Sequence, residues 1–180
     1  MRTLYRVWSA ALGEAQIARI VDAAGARPSE TAKTFSSIGD AEGVRSATIR
    51  WLDEPWLREL LWGYIEQANS EDFHFDLDGL AEVQLITYSS GSQDHYGWHH
   101  DVDWGSDGDD DRKLSVTVQL SESNAYDGGD LEFAALKTNA DFRSRGTVIV
   151  FPSTLRHRVT SVSQGQRLSL VAWFSGPRWR

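Results

Sequence analysis

The sequence predicts an α+β chain, with helices in the N-terminal third followed by antiparallel strands that form a sandwich or barrel. Three observations carry this. Apolar residues recur at helical spacing in two windows before residue 70. After Asn69 the pattern changes to short runs bounded by Gly, Asp, Asn and Ser, the punctuation of strands and turns. Many short strands with turn signals between them bury their apolar faces by packing sheet on sheet or by closing a sheet on itself. With 180 residues and no repeat, low-complexity stretch or linker, 1–180 reads as a single domain. Residues 1–75 read as largely helical support and 76–180 as the β core.

Taken in order, Leu4, Val7 and Trp8 suit a short edge strand. From about Gly13 to Ala24, Ile17, Ile20, Val21 and Ala24 mark one helix face, and Gly25 and Pro28 end it. Residues 29–43 are polar and read as a loop, and Val44 to Leu52 as a strand. A second helix starts at Asp53 as N-cap with Pro55 in the first turn. Its stripe is Leu57, Leu60, Leu61, Tyr64 and Ala68. Strands are then expected at Ala81–Ser89, Tyr96–His100, Leu114–Leu120, Asp130–Phe133, Thr147–Phe151, Arg156–Thr160 and Arg167–Phe174. Val116, Val118 and Leu120 share one face of their run, as do Leu168, Leu170 and Ala172.

Composition narrows the function. Hydrophobic residues make up 41% and charged residues 24%, ordinary for a soluble globular chain. The absence of cysteine excludes a disulfide framework, a thiolate metal site and a cysteine nucleophile, and fits a cytoplasmic protein. The N-terminus lacks an apolar run of roughly 7–15 residues like that of a signal peptide. No segment approaches the roughly 20 apolar residues of a membrane span. A net charge of −8 works against nucleic acid as substrate, because a basic field supplies most backbone affinity. Arg143, Arg145, Arg156, Arg158, Arg178 and Arg180 cluster late in the chain, as a solvated rim or as an attraction for an anionic ligand.

The chemistry centres on Tyr96-Gly-Trp-His-His-Asp101. In extended chain, His99 and Asp101 point to one face while His100 points to the other. His157, in Phe151-Pro-Ser-Thr-Leu-Arg-His157, supplies a third ligand from another strand. Two His and one carboxylate form the facial triad of non-heme Fe(II) oxygenases, with positions left open on the metal. Arg167, ten residues on and followed by Ser169, offers a fork that matches a carboxylate. The acidic run Asp103 to Asp111 fails as a calcium loop. With Asp107, Asp109 and Asp111 at positions 1, 3 and 5, Arg112 takes the place of the glycine and Val118 that of the final glutamate. It reads as an extended, solvated loop beside the site, or as a lid.

With these residues in hand the chain resembles the Fe(II)/2-oxoglutarate-dependent dioxygenase superfamily, and within it the prolyl 4-hydroxylase-like branch with its bacterial and phage members. The resemblance covers about residues 80–177. It rests on Tyr88, Tyr96–Asp101, Arg112-Lys-Leu-Ser115, Tyr126-Asp-Gly-Gly-Asp130, Phe151-Pro-Ser with His157-Arg-Val, and Gly165 to Trp173. It implies a double-stranded β-helix (jelly roll) core carrying the catalytic centre, with N-terminal supporting helices. It implies Fe(II) on His99, Asp101 and His157, and 2-oxoglutarate on Arg167 with Tyr88 and Ser169 as helpers. Tyr96, Arg112 and Trp173 would stand close to the reacting centre. O₂ is the implied second cosubstrate, and L-ascorbate a candidate reductant. The implied reaction is hydroxylation of an unactivated C–H bond in a prolyl-containing peptide or protein, in a free amino acid or in another small molecule.

The chain departs from collagen-type prolyl hydroxylases in two ways. It has Arg167 where they usually carry Lys, and Asp130-Leu131 where they often have Glu-Thr after the paired glycines. An arginine anchors a carboxylate as well as a lysine does, so the departures bear on prolyl specificity. The rival readings are a jelly-roll module that holds zinc or sugar without turnover, and a site built on His100 with Asp103.

Overall fold

The computed structural model describes residues 3–32, 45–134, 136 and 141–180. In chain order the elements are β1 (Arg6–Trp8), α1 (Glu14–Gly25), β2 (Glu30–Thr31), β3 (Arg45–Ser46), β4 (Thr48–Leu52) and α2 (Pro55–Ala68). There follow β5 (Gly79–Ser89), β6 (His95–His99), β7 (Asp110–Gln119), β8 (Tyr126–Gly128), β9 (Leu131–Phe133), β10 (Val148–Pro152), β11 (His157–Val159) and β12 (Val162–Pro177). The expected loop at 29–43 falls mostly outside the described residues, and its first part forms β2.

The strands make two antiparallel sheets. The major sheet runs β1-β10-β7-β12-β5-β4-β2, with β8 joined to the start of β12, and the minor sheet runs β3-β6-β11-β9. This is the jelly roll expected. In the N-terminal third β1, β3 and β4 fall in the runs read as strands and join the sheets, whereas β2 forms where a loop was expected. In β1, Val7 lies opposite Ile149 at the edge of the major sheet. A second difference lies at α2. Asp53 is not its cap: Glu54 holds that position without a side-chain cap, and Pro55 opens the helix. Both carboxylates instead bind Arg27, which follows α1, and so tie the two helices together.

Period-two alternation decides what each face of the major sheet meets. Val83 and Leu85, Leu114, Val116 and Val118, Val148 and Val150, and Leu170, Ala172 and Phe174 point to one face. There they pack on Ile17, Ile20 and Ala24 of α1 and Leu57, Leu61 and Ile65 of α2. These helices cover the outer face, as amphipathic helices do when their stripe matches a sheet. The other parity faces the minor sheet. There Ile49, Ile86 and Tyr88 pack with Val159 and Val162, and Ile149 and Phe151 pack with Phe133.

The C-terminal residues fold back onto the domain. The Trp179 amide donates to Asp111 (2.7 Å) and its indole N–H to the Arg112 carbonyl (3.3 Å). The Lys113 ammonium lies 3.8 Å from the centre of its ring, and Phe75 packs against it edge-on. Trp179→Ala is therefore expected to lower the unfolding free energy by about 1–3 kcal/mol, read as a shift in the urea midpoint at constant slope.

Candidate active site

Three irregularities in the sheets gather the polar side chains of the site. In β6 the register against β11 slips between Tyr96 and His99, so both rings face inward although their positions differ in parity. Their rings stack with centres 3.4 Å apart. In β7 the pairing jumps from Phe174–Leu114 to Ser175–Arg112, leaving Lys113 as the extra residue. That bulge turns Arg112 away from the helix face and toward Trp173, whose ring lies 3.9 Å from its guanidinium. In β5 a slip also lies between the partners of Trp173 and Phe174; Glu82, before it, keeps the inward parity of Gln84 and Ile86 and forms an ion pair with Arg112.

His99 ends β6, and His157 opens β11 directly opposite it. Asp101 lies two residues beyond His99, its amide held by the Ser153 carbonyl at 2.8 Å. The His99 Nε2 is 3.6 Å from Asp101 Oδ1, and the His157 Nε2 is 3.7 Å from Asp101 Oδ2. One donor atom from each of the three residues lies within 4.8 Å of the others. Each imidazole is oriented in the same way. The Nδ1 of His99 meets the Gly97 carbonyl at 2.8 Å, and that of His157 meets the Leu155 carbonyl at 2.9 Å. A carbonyl can only accept, so both Nδ1 atoms carry the proton and both Nε2 lone pairs point at the shared space. Asp101 is steadied by the Ser115 hydroxyl, which donates to Oδ2 at 2.6 Å. A divalent metal with a preference for imidazole and carboxylate fits this donor set.

The electrostatics agree. Burial is the main influence on His99 and pushes its imidazole down to about 3, with His157 adding to the shift, so the ring is neutral at ordinary pH. Burial by itself would raise the Asp101 carboxyl. The imidazoles of His157 and His99, the Ser115 hydroxyl and Arg112 outweigh it and hold the group below its ordinary range. Burial, and then the Asp101 charge, push the Tyr96 phenol well up, so it stays protonated.

These shifts set the acid response of the metal-free protein. Between pH 6.5 and about 3 the unfolded chain protonates His99 and the folded chain does not. Stability is therefore expected to fall as pH drops below about 6.5, by up to about 1.4 kcal/mol per pH unit from this group, and Asp101 adds to the loss at lower pH. Urea midpoints of chelator-treated protein between pH 7.5 and 5 should show this slope, and His99→Gln should flatten it.

Beside the cluster lies a narrow cavity of about 40 Å³, lined by Tyr88, Tyr96, Ser169, Trp173 and Arg167 as well as the three donors. Arg167 is 4% exposed and pairs in register with Tyr88. Its Nε donates to Gln119 (3.1 Å), whose amide in turn donates to the Tyr126 hydroxyl (3.0 Å). No carboxylate among the described residues forms an ion pair with it. Gly129 makes room for it: the backbone there has φ 62°, and a Cβ would come within 2.9 Å of Val162 and 3.2 Å of the Arg167 Cδ. A cleft of about 680 Å³, bounded by Trp98, Asp130, Glu132, Phe142 and Arg143, shares Leu131 and Arg167 with the cavity and opens it outward.

All nine side chains singled out in the sequence thus lie on or next to one cavity. His100 lies apart. Its Nδ1 meets the Val102 carbonyl at 3.2 Å, and its Nε2 accepts from the Trp104 indole at 3.2 Å, so a site built on His100 and Asp103 has no support. Sequence reasoning did not assign roles to Ser115, Ser153, Gln119 and Arg45. Nothing local in the sequence marks them, since each matters through a neighbour brought from elsewhere in the chain. The acidic loop differs from the extended run expected. It folds into short turns in which Gly105 donates to the Asp103 carboxylate (3.0 Å) and Gly108 to the Ser106 hydroxyl (3.1 Å). Asp and Ser side chains that accept from the backbone two residues on, with glycine at the receiving position, favour such turns over an extended chain.

A jelly roll with an inward His-Asp-His cluster and a buried arginine is the layout of a non-heme iron oxygenase. The model of the 2OG-Fe(II) oxygenase superfamily matches residues 83–175, just over half of the chain, and the chain belongs to that superfamily. Its metal is Fe(II) and its cosubstrate is 2-oxoglutarate. A PKHD-type hydroxylase of Prochlorococcus marinus is 37% identical over 94 residues, covering 51% of this chain and 41% of that protein. One of Hyphomonas neptunium is 40% identical over 87 residues, covering 47% and 39%. The chain thus spans about two-fifths of the length of these relatives. Among solved structures, a viral collagen prolyl hydroxylase from Paramecium bursaria chlorella virus-1 superposes with a TM-score of 0.73 at 21% identity, covering 97% of each chain. A Pseudomonas putida prolyl-4-hydroxylase superposes with a TM-score of 0.70, also at 21% identity, covering 98% of this chain and 93% of that one. Among the described residues no helix is long and apolar enough to cross a membrane.

Proposed function

We propose that the protein is an Fe(II)- and 2-oxoglutarate-dependent hydroxylase of the prolyl 4-hydroxylase-like kind. The observation that carries this is the convergence of two oriented imidazole Nε2 atoms and the Asp101 carboxylate beside the buried fork of Arg167. The names of the PKHD-type and prolyl hydroxylase relatives support a prolyl or similar C–H bond as the target.

In this reading His99, Asp101 and His157 hold the metal. Fe(II) with 2-oxoglutarate and O₂ supplies the oxidising power that hydroxylates the substrate and leaves succinate and CO₂. The chain's own task is to bind, orient and exclude water. The Gly97 and Leu155 carbonyls keep the imidazole protons on Nδ1. Ser115 holds the carboxylate of Asp101 in place. Arg167, with Tyr88 and Ser169 beside it, takes the distal carboxylate of the cosubstrate, and Gln119 fixes the direction of the fork. Tyr96 and Trp173 wall the reacting space. Arg112, neutralised by Glu82, holds the Trp173 ring and lies 3.5 Å from the Asp101 carbonyl.

The test is succinate release from purified protein given Fe(II), ascorbate, O₂ and 2-oxoglutarate, with prolyl peptides and free proline as substrates. Iron-dependent succinate above the no-iron control is expected, increased by a suitable substrate. A protein that binds neither metal nor 2-oxoglutarate under anaerobic conditions would instead be a non-catalytic module.

A further inference from the structure

Besides Arg167, a second arginine lines the cavity. Arg45, on β3, lies opposite Tyr96 in the register of the minor sheet, and its guanidinium is 4.8 Å from the Tyr96 ring centre. One Nη donates to the side chain of Gln84, a 4% exposed residue on the inner face of β5, at 3.2 Å. The Nε is enclosed and makes no hydrogen bond. Of the three arginines that line the cavity and the adjoining cleft, Arg143 is paired with Asp130. Arg45 and Arg167 meet no carboxylate among the described residues. The residue as a whole is half-buried, but an enclosed N–H of a cation with no partner is costly unless an acceptor completes it.

We infer that Arg45, steadied by Gln84, is a second carboxylate-binding position of this site, and that it takes a carboxylate of the primary substrate. The inference rests on the proposed 2-oxoglutarate-dependent hydroxylase. A cosubstrate that reaches from Arg167 to the His-Asp-His cluster uses both of its carboxylates on the way. The position of Arg45 is separate. The Arg167 guanidinium is held by Gln119 on β7, whereas that of Arg45 is held by Gln84 on β5 and lies over the Tyr96 ring. A third carboxylate must come from the molecule being hydroxylated. A residue in the middle of a polypeptide has none on its backbone. The substrate class is therefore a small free acid, such as an amino acid, whose carboxylate docks on Arg45 and so presents a nearby C–H to the metal position.

The experiment uses the full chain loaded with Mn(II), which binds without turnover, saturated with 2-oxoglutarate and titrated calorimetrically with L-proline and, in parallel, L-prolinamide. The acid is expected to bind at least tenfold more tightly than the amide. The net charge of −8 favours the cationic amide non-specifically, so a preference for the acid reports a specific contact. Arg45→Gln should abolish the preference, Arg45→Lys should keep part of it, and 2-oxoglutarate affinity should stay within threefold of wild type in both. Equal binding of acid and amide, binding of neither, or a loss of 2-oxoglutarate affinity in Arg45→Gln as large as that in Arg167→Gln would overturn the inference. Failure of the wild type to bind Mn(II) or 2-oxoglutarate at the outset would instead overturn the hydroxylase reading itself.

Discussion

His157→Ala is expected to bring metal content after dialysis to background and succinate release to that of the no-iron control, with the fold intact by circular dichroism. The residue stands directly across from His99, and its Nε2 is one of only three donor atoms in the cluster. With two donors left, a labile divalent ion is held too weakly to survive dilution. His99→Ala should do the same. His100→Ala serves as the control, because its ring is turned to the Val102 carbonyl and Trp104, and it should keep both metal and turnover. Full activity in either His99→Ala or His157→Ala would remove the cluster from its role.

Arg167→Ala is expected to raise the concentration of 2-oxoglutarate needed for half-maximal succinate release by at least about 100-fold, roughly 3 kcal/mol, while Fe(II) affinity changes little. The reason is burial. Arg167 lies 4% exposed behind Gln119 and Gly129, and a carboxylate that reaches it has left water behind. Without the guanidinium that anion is unpaired in a closed space. The split is diagnostic: a residue that merely supported the fold would lower stability and weaken metal and cosubstrate together. Arg167→Lys should recover part of the loss, since it keeps the charge and gives up the fork.

The readability of the sequence varied with the range of the interaction. The helix stripes, the change from helical to strand period after Asn69, and the shared face of His99 and Asp101 all depend on residues a few positions apart. Backbone geometry turns such spacing directly into direction. The site pieces Tyr88, Arg167, Ser169 and Trp173 were legible for a related reason. They stand at alternate positions of long strands, and the resemblance to a known family marked which of them to consider. The cap of α2 was misassigned because Asp53 and Glu54 both bind Arg27, a partner 26 and 27 residues away. The docking of Trp179 on Asp111 and Arg112 likewise depends on partners 68 and 67 residues away.

Tertiary structure decided what parity cannot. Tyr96 and His99 belong to opposite faces of an ideal strand, as do Arg112 and Ser115, and only slips in register bring each pair to one wall. A bulge depends on how two strands from distant parts of the chain are paired, so no local pattern announces it. The tautomers of His99 and His157, the support of Asp101 by Ser115, and the setting of Arg167 by Gln119 have the same origin. The sequence by itself determined which residues stand as candidates for the chemistry, through side-chain type, local spacing and the resemblance to a known family. Pairing across the two sheets decided their direction and protonation, and which cations were left facing the cavity, because those follow from contacts made only when the chain closes on itself.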